Sequence, residues 1–207
     1  MRPLPRLFAV TTDALCRAAD FGVRAAAFAA SGPSAGIVVR APGSTAAQQA
    51  VFCGRVLALA RPPEAAVFAH GRPDLACALG AHGVQLRAGD LAPGDARKVF
   101  PGGWIGRSVH SGDEARASVD EGADYLVAGN IFDTPSHPEH PGRGLAWLAD
   151  ICRLGVPVIA IGGVTPERAA AIREAGAWGA AAISAIWDAP DPAATATALL
   201  APWAEEV

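Results

Sequence analysis

The chain has 207 residues, 51% of them hydrophobic and 18% charged, with a net charge of −3 at neutral pH. A chain of this length suits one domain that buries roughly 70–75% of its unfolded-state surface without a disulfide or metal staple. Its apolar content excludes disorder, and its 17 basic residues, with Lys98 the single lysine, form no run that could track nucleic acid or an anionic membrane.

Apolar runs of strand length alternate with stretches of helical period. LFAVTT (7–12) predicts a first strand and 14–30 one helix, ended by the breaker SGPSAG. GIVVR (36–40) predicts a second strand, followed by a helix from Thr45, where Thr45 and Gln48 have the spacing of a capping box. AAVFA (65–69) and a short helix over 73–79 come next, then GVQL (83–86) and a helix over 93–99. The second half repeats the beat with WIGRS (104–108) and a helix opened by Ser111 and Glu114. DYLVAG (124–129) and a helix over 145–153 follow, joined by a long loop. VPVIAI (156–161) precedes a helix with Thr165 as N-cap and Pro166 at its first position. GAAAI (179–183) and a helix over 192–203 close the chain.

Eight strand–helix units with continuously apolar strands predict a single-domain (β/α)8 barrel over 1–207. An open doubly wound sheet is the alternative, but the Gly-rich turn after the first strand is missing. The segment MRPLPRLFAVTTDA has no apolar signal core, and no window reaches the 18 apolar residues of a membrane span. Cys16, Cys53, Cys77 and Cys152 form no C-x-x-C pair. A cytoplasmic protein with reduced cysteines is expected.

In such a barrel the active site lies at the C-terminal ends of the strands. Gly162 and Gly163 bare the backbone after strand seven, and Ser184 and Ala185 open a short helix after strand eight. Together they form a candidate phosphate cup. The loop 129–144 (GNIFDTPSHPEHPGRG) offers Thr134, Ser136, His137, His140 and Arg143, but Pro138 and Pro141 break the helix that would align its histidines on a metal. Arg40, closing strand two, reads as an anion clamp or a rim ion pair. His110 reads as an acid–base group or a packing residue, and Asp90 as a metal ligand or a turn cap.

The blocks GADYLVAGNIFDTPS (122–136), VPVIAIGGVTPERAAAIREAGAWGAAAISAIW (156–187) and GRPDLACALGAHGVQL (71–86) resemble the thiamine phosphate synthase/TenI superfamily. The resemblance covers nearly the whole chain from Val10 onward. IGRSVHS (105–111) and PGRGL (141–145) are closer to the TenI branch, the thiazole tautomerases. The resemblance implies a barrel that binds a thiazole phosphate, its phosphate on backbone at Gly162, Gly163, Ser184 and Ala185, with Thr134 and Ser136 near the ligand. The synthase branch joins a pyrimidine diphosphate to a thiazole phosphate and expels pyrophosphate with Mg²⁺. Its strand-two Gln, Arg and Lys match Val38, Arg40 and Pro42 here, and its Asn-Asp after strand three matches His70-Gly71. Its second metal-site aspartate matches Asp90 and its loop lysine matches His137.

One carboxylate and both lysines are therefore missing, and with them much of the charge that neutralises a leaving pyrophosphate. The expected function is accordingly a TenI-like thiazole tautomerase, an isomerase that needs no metal. In that branch a histidine after the strand-six glycine moves the proton, and here Asn130 holds that place. An amide orients a substrate but does not shuttle protons, so His110 or His137 would take over. The expected site is then Asn130, His110 and His137 for catalysis, with Arg40, Thr134, Ser136, Arg143, Gly162, Gly163, Ser184 and Ala185 on the ligand. No cofactor is expected, Mg²⁺ at Asp90 being kept for a synthase. The expected partners are a phosphorylated thiazole and a second copy of the chain. A thiamine phosphate synthase and a non-catalytic phosphate-binding or regulatory barrel are the alternatives.

Overall fold

The computed structural model describes residues 2–60, 65–134, 139 and 141–206. Eight parallel strands close into one barrel in sequence order: β1 (Leu7–Val10), β2 (Ala35–Val39), β3 (Ala66–His70), β4 (Gly83–Leu86), β5 (Trp104–Val109), β6 (Tyr125–Ala128), β7 (Val158–Ile161) and β8 (Gly179–Ala182). Leu7 pairing with Ala180 and with Ala35 closes the ring through β1. The helices α1 (Asp13–Arg17), α2 (Phe21–Ala29), α3 (Ala46–Leu59), α4 (Pro73–Leu79), α5 (Pro93–Val99), α6 (Gly112–Asp120), α7 (Gly144–Cys152), α8 (Pro166–Glu174), α9 (Ser184–Trp187) and α10 (Pro192–Leu200) follow the strands, and a 3₁₀ turn (Ala201–Glu206) ends the description. The fold is the expected (β/α)8 barrel. Among the described residues no helix is long and apolar enough to cross a membrane.

Two boundaries differ from expectation for local reasons. The helix expected over 14–30 is two, because Ala18 is extended (ψ 141°) and turns its N–H back to the Leu15 carbonyl. The break lets α2 set Phe21, Ala25 and Phe28 against the core. The closing helix stops at Leu200 rather than at Trp203, since Pro202 has no N–H and crowds the preceding turn. The capping box at Thr45 and Gln48 forms in full. At α6, Ser111 accepts from the Glu114 N–H, but the Glu114 carboxylate takes the His110 N–H instead of closing the box.

Side chains on a strand alternate between faces. The outward set, including Ile37, Val39, Val67, Val84 and Ile105, packs under the helices. The inward set, including Phe8, Val38, Phe68, Tyr125 and Ile159, fills the barrel. Phe8, Phe68 and Tyr125 stack and edge-pack with ring centroids 5.0–6.0 Å apart. Their volume is accommodated by glycines on neighbouring strands. A Cβ on Gly83 would lie 2.3 Å from a Phe68 ring carbon, and one on Gly106 would lie 2.1 Å from Tyr125 Cζ. Gly83→Ala should therefore cost about 1–3 kcal/mol through overpacking, read by chemical denaturation. Wild-type stability in that variant would show that the rings are not confined by this strand.

Candidate functional site

Above the aromatic layer, the inward register runs on to the mouth. It passes from Val38 to Arg40, from Phe68 to His70, from Gln85 to Arg87, from Ser108 to His110 and from Ile161 to Gly163. These positions fall into two regions.

The first is a cleft of about 920 Å³ over β5–β8. Gly162 and Gly163 form its back, both at positive φ (101° and 62°), where side chains are strained. Side chains there would also collide, with Asn130 Cβ at 2.6 Å from a Gly162 Cβ and the Asp133 carbonyl at 2.7 Å from a Gly163 Cβ. The segment after β6 is laid against these glycines by Ile131 N–H to the Ile161 carbonyl (2.9 Å) and Phe132 N–H to the Gly162 carbonyl (3.1 Å). Arg168 fixes the next peptide, donating to the Gly163 carbonyl at 2.6 Å with its guanidinium over the Phe132 ring.

The other wall is α9. Trp187 anchors it, buried between Phe21 and Phe28, with Nε1 donating to the Val10 carbonyl at 2.8 Å. Ser184 and Ala185, in the first turn of α9, line the cleft, and first-turn N–H groups have no acceptor within their own helix.

Of the expected site residues, His110, Asn130, Thr134, Arg143, Gly162, Gly163, Ser184 and Ala185 line this one cleft. Ser136, His137 and His140 lie outside the described residues. Asn130 is 8% exposed and its carbonyl accepts from Arg143 N–H at 3.0 Å. Arg143 reaches Gly129 through Nε (3.1 Å) and covers the Trp147 ring, so it holds the two ends of the loop together. His110 is half exposed, with Nδ1 3.5 Å from the Glu114 carboxylate. Glu114, Asp133 and Arg168 also line the cleft and were not singled out from the sequence. Glu114 and Arg168 lie in the first turns of α6 and α8 and Asp133 in the loop after β6, and only barrel closure brings the three together, which leaves no local pattern.

The second region is the corner over β2–β4, where Arg40, His70, Arg87 and Asp90 meet. Asp90 is not the N-cap of α5, which is Ala92. It closes the 87–90 turn instead, accepting from the Arg87 N–H at 2.7 Å and pairing with both Nε and Nη2 of the Arg87 guanidinium. Burial pushes the Asp90 carboxyl up, but these bonds from Arg87 outweigh it and hold it below 3.8. Gly71 stands at φ 68°, a conformation strained for any side chain, and a Cβ there would lie 2.9 Å from Asp90 Oδ2, which would have to shift. Asp13, beside Arg40, spends its oxygens on Gly43 N–H, Ser44 Oγ and Arg17. The Arg40 guanidinium has no hydrogen-bond or ion-pair partner among the described residues. Among these residues no group of three or more His, Cys, Asp and Glu is placed to hold a metal ion.

Burial, together with the Arg40 and Arg87 charges, holds His70 down to about 4 from an ordinary 6.5. Between those values the unfolded chain carries a proton that the folded chain refuses. The stability owed to neutral His70 is therefore complete above pH 6.5 and lost as pH falls toward 4. His70→Asn should flatten the fall in melting temperature across that window, and an unchanged profile would show that His70 does not titrate there.

A family model described as thiamine monophosphate synthase matches residues 7–186. The chain belongs to that family. It is 44% identical over 149 residues to the thiamine-phosphate synthase of Thermus thermophilus, covering 70% of this chain and 71% of the relative. The thiamine-phosphate synthase of Anaeromyxobacter dehalogenans is 43% identical over 150 residues, 71% and 67% of the two chains. Among solved structures, the thiamine phosphate pyrophosphorylase from Pyrococcus furiosus superposes with a TM-score of 0.82 at 31% identity, covering 97% and 96% of the two chains.

These relatives, named as synthases, correct the tautomerase expectation. The motifs behind that expectation have architectural uses here. In PGRGL, Arg143 and Gly144 zip the loop ends onto Gly129, Asn130 and Ile131. In IGRSVHS, Gly106 makes room for Tyr125, and Arg107 holds the carbonyls of Ala88 and Leu91. Neither use depends on which reaction the mouth performs.

Proposed function

We propose that the chain is a thiamine-phosphate synthase, joining a pyrimidine diphosphate to a thiazole phosphate and releasing pyrophosphate. The observation that carries this reading is the division of the mouth into two anion-seeking halves. A reaction between two phosphorylated substrates needs such a pair, whereas an isomerase acting on one phosphate ester needs one.

The thiazole phosphate takes the β7–β8 half. Gly162 and Gly163 let a phosphate approach the main chain, and the first-turn N–H groups of Ser184 and Ala185 supply donors from the facing wall. Thr134 and Asn130 line the same cleft and offer hydrogen bonds to the rest of the molecule. The diphosphate takes the β2–β4 half, where Arg40 and Arg87 supply positive charge as the leaving group gathers its negative charge.

Mg²⁺, which the family resemblance implies, meets a poor donor set at that corner. A hard cation of this kind is held by one or two carboxylates together with water and substrate phosphates. Asp90 has both oxygens engaged by Arg87, and the neighbouring position is Gly71, which brings no carboxylate. The residues present do not fit the ion.

The reading is tested by incubating the chain with both substrates and following thiamine phosphate and pyrophosphate by chromatography. Formation of both in equal amounts is expected, and neither forming would overturn it. Glycine substitutions are poor probes of the cup, because a side chain on Gly163 would displace the 132–133 backbone. Ser184 is exposed, and Ser184→Asp sets a carboxylate against the phosphate without disturbing packing. It should weaken thiazole phosphate binding by about tenfold or more while leaving the melting temperature unchanged. Undiminished affinity in calorimetry would move the phosphate out of the cup.

A further inference from the structure

We propose that the β2–β4 corner is a cation-independent diphosphate site, in which the Arg40 guanidinium, joined by Arg87, takes the phosphoryl oxygens directly. The inference rests on the synthase reading for the identity of the substrate, but its physical basis is separate.

Three features of the corner point to an anion and away from a dication. The first is the charge that remains after pairing. Asp90 is matched by Arg87, and Asp13 by Arg17 together with two hydrogen-bond donors. Arg40, at the end of β2, makes no side-chain hydrogen bond or close ion pair among the described residues and acts on Asp13 only at longer range. The second is the neutral floor. His70 stands one strand over on the same inward register, lies close enough to feel both arginines, and stays uncharged at neutral pH. As a neutral imidazole it offers a hydrogen bond to a phosphoryl oxygen. The third is geometry. Arg40 and Arg87 come from the strands on either side of His70, near enough for both charges to act on it. Arginine forks hold phosphate oxygens bidentately, which is what a bridging metal otherwise does for a diphosphate. Arg87 remains 58% exposed while paired with Asp90, so its outer face is open to a ligand.

Inorganic pyrophosphate is the probe, titrated by calorimetry into the full-length chain in EDTA and again with excess Mg²⁺. The titrations use Ser184→Asp, so that the opposite cup does not compete for the anion. Binding is expected in EDTA, with no tightening when Mg²⁺ is supplied. Arg40→Gln should weaken the EDTA binding by about tenfold or more, with Arg40→Lys recovering only part because the fork is lost. The Arg40 side chain has no hydrogen bond or close ion pair among the described residues to lose, so an unchanged melting temperature at neutral pH is expected and certifies the variants.

Binding that appears only with Mg²⁺ would overturn the proposal, as would EDTA binding that Arg40→Gln leaves intact. The outcome is separable from the synthase reading. A chain that binds pyrophosphate in EDTA but makes no thiamine phosphate keeps this site and loses that reading. A chain that makes thiamine phosphate but binds pyrophosphate only with Mg²⁺ keeps the reading and loses the site.

Discussion

The two-residue repeat of the strands governs this molecule, because a closed barrel commits every second residue to its inside. Phe8, Phe68 and Tyr125 fill the interior, and Gly83 and Gly106 on adjacent strands give up side chains to let them in. Once that layer is packed, the next inward position on each strand has nowhere to go but the mouth. Arg40, His70, Arg87, His110 and Gly163 all arrive there by this count. The same packing that stabilises the barrel thereby chooses which residues meet a substrate. A register slip would turn the set toward the helices and bury the arginines in apolar surroundings.

The mouth so built is chemically lopsided. Its β7–β8 side offers main-chain N–H groups, held by glycine conformations and by the Trp187 anchor beneath α9. Its β2–β4 side offers guanidinium groups, with the nearby carboxylates already matched. Main-chain donors suit a phosphate that must be gripped but not transformed. Full positive charges suit a group that becomes more negative as it leaves. The division follows the difference between the two substrates of a synthase.

Much of the architecture was legible in the chain. Eight strand–helix beats announced the barrel, and α4, α5 and β4 fall where periodicity and Pro or Gly punctuation put them. The meeting of Gly162, Gly163, Ser184 and Ala185 at one cleft was legible too, since glycines and a helix start at two adjacent strand ends are local signals. Other features were not. The break after Arg17 is made by tertiary packing of Phe21 and Phe28, which helix propensity does not report. Arg168 and Glu114 line the cleft from the first turns of α8 and α6, which only the closed barrel brings together. The branch of the family was misread because PGRGL and IGRSVHS were taken as marks of the TenI branch. Arg143 and Gly106 in them serve the loop and the core instead. Losing acidic and lysine positions around Asp90 argued against a synthase only while a metal was assumed to do the neutralising. Arg40 and Arg87 offer another way to meet that charge.

The central claim is that the mouth holds two anions at once, one on each side. Calorimetric titration of inorganic pyrophosphate into the wild-type chain saturated with thiazole phosphate tests it most directly. The account predicts that pyrophosphate still binds, one per chain, with the thiazole phosphate retained. Displacement of the thiazole phosphate by pyrophosphate would contradict it and reduce the mouth to a single anion site.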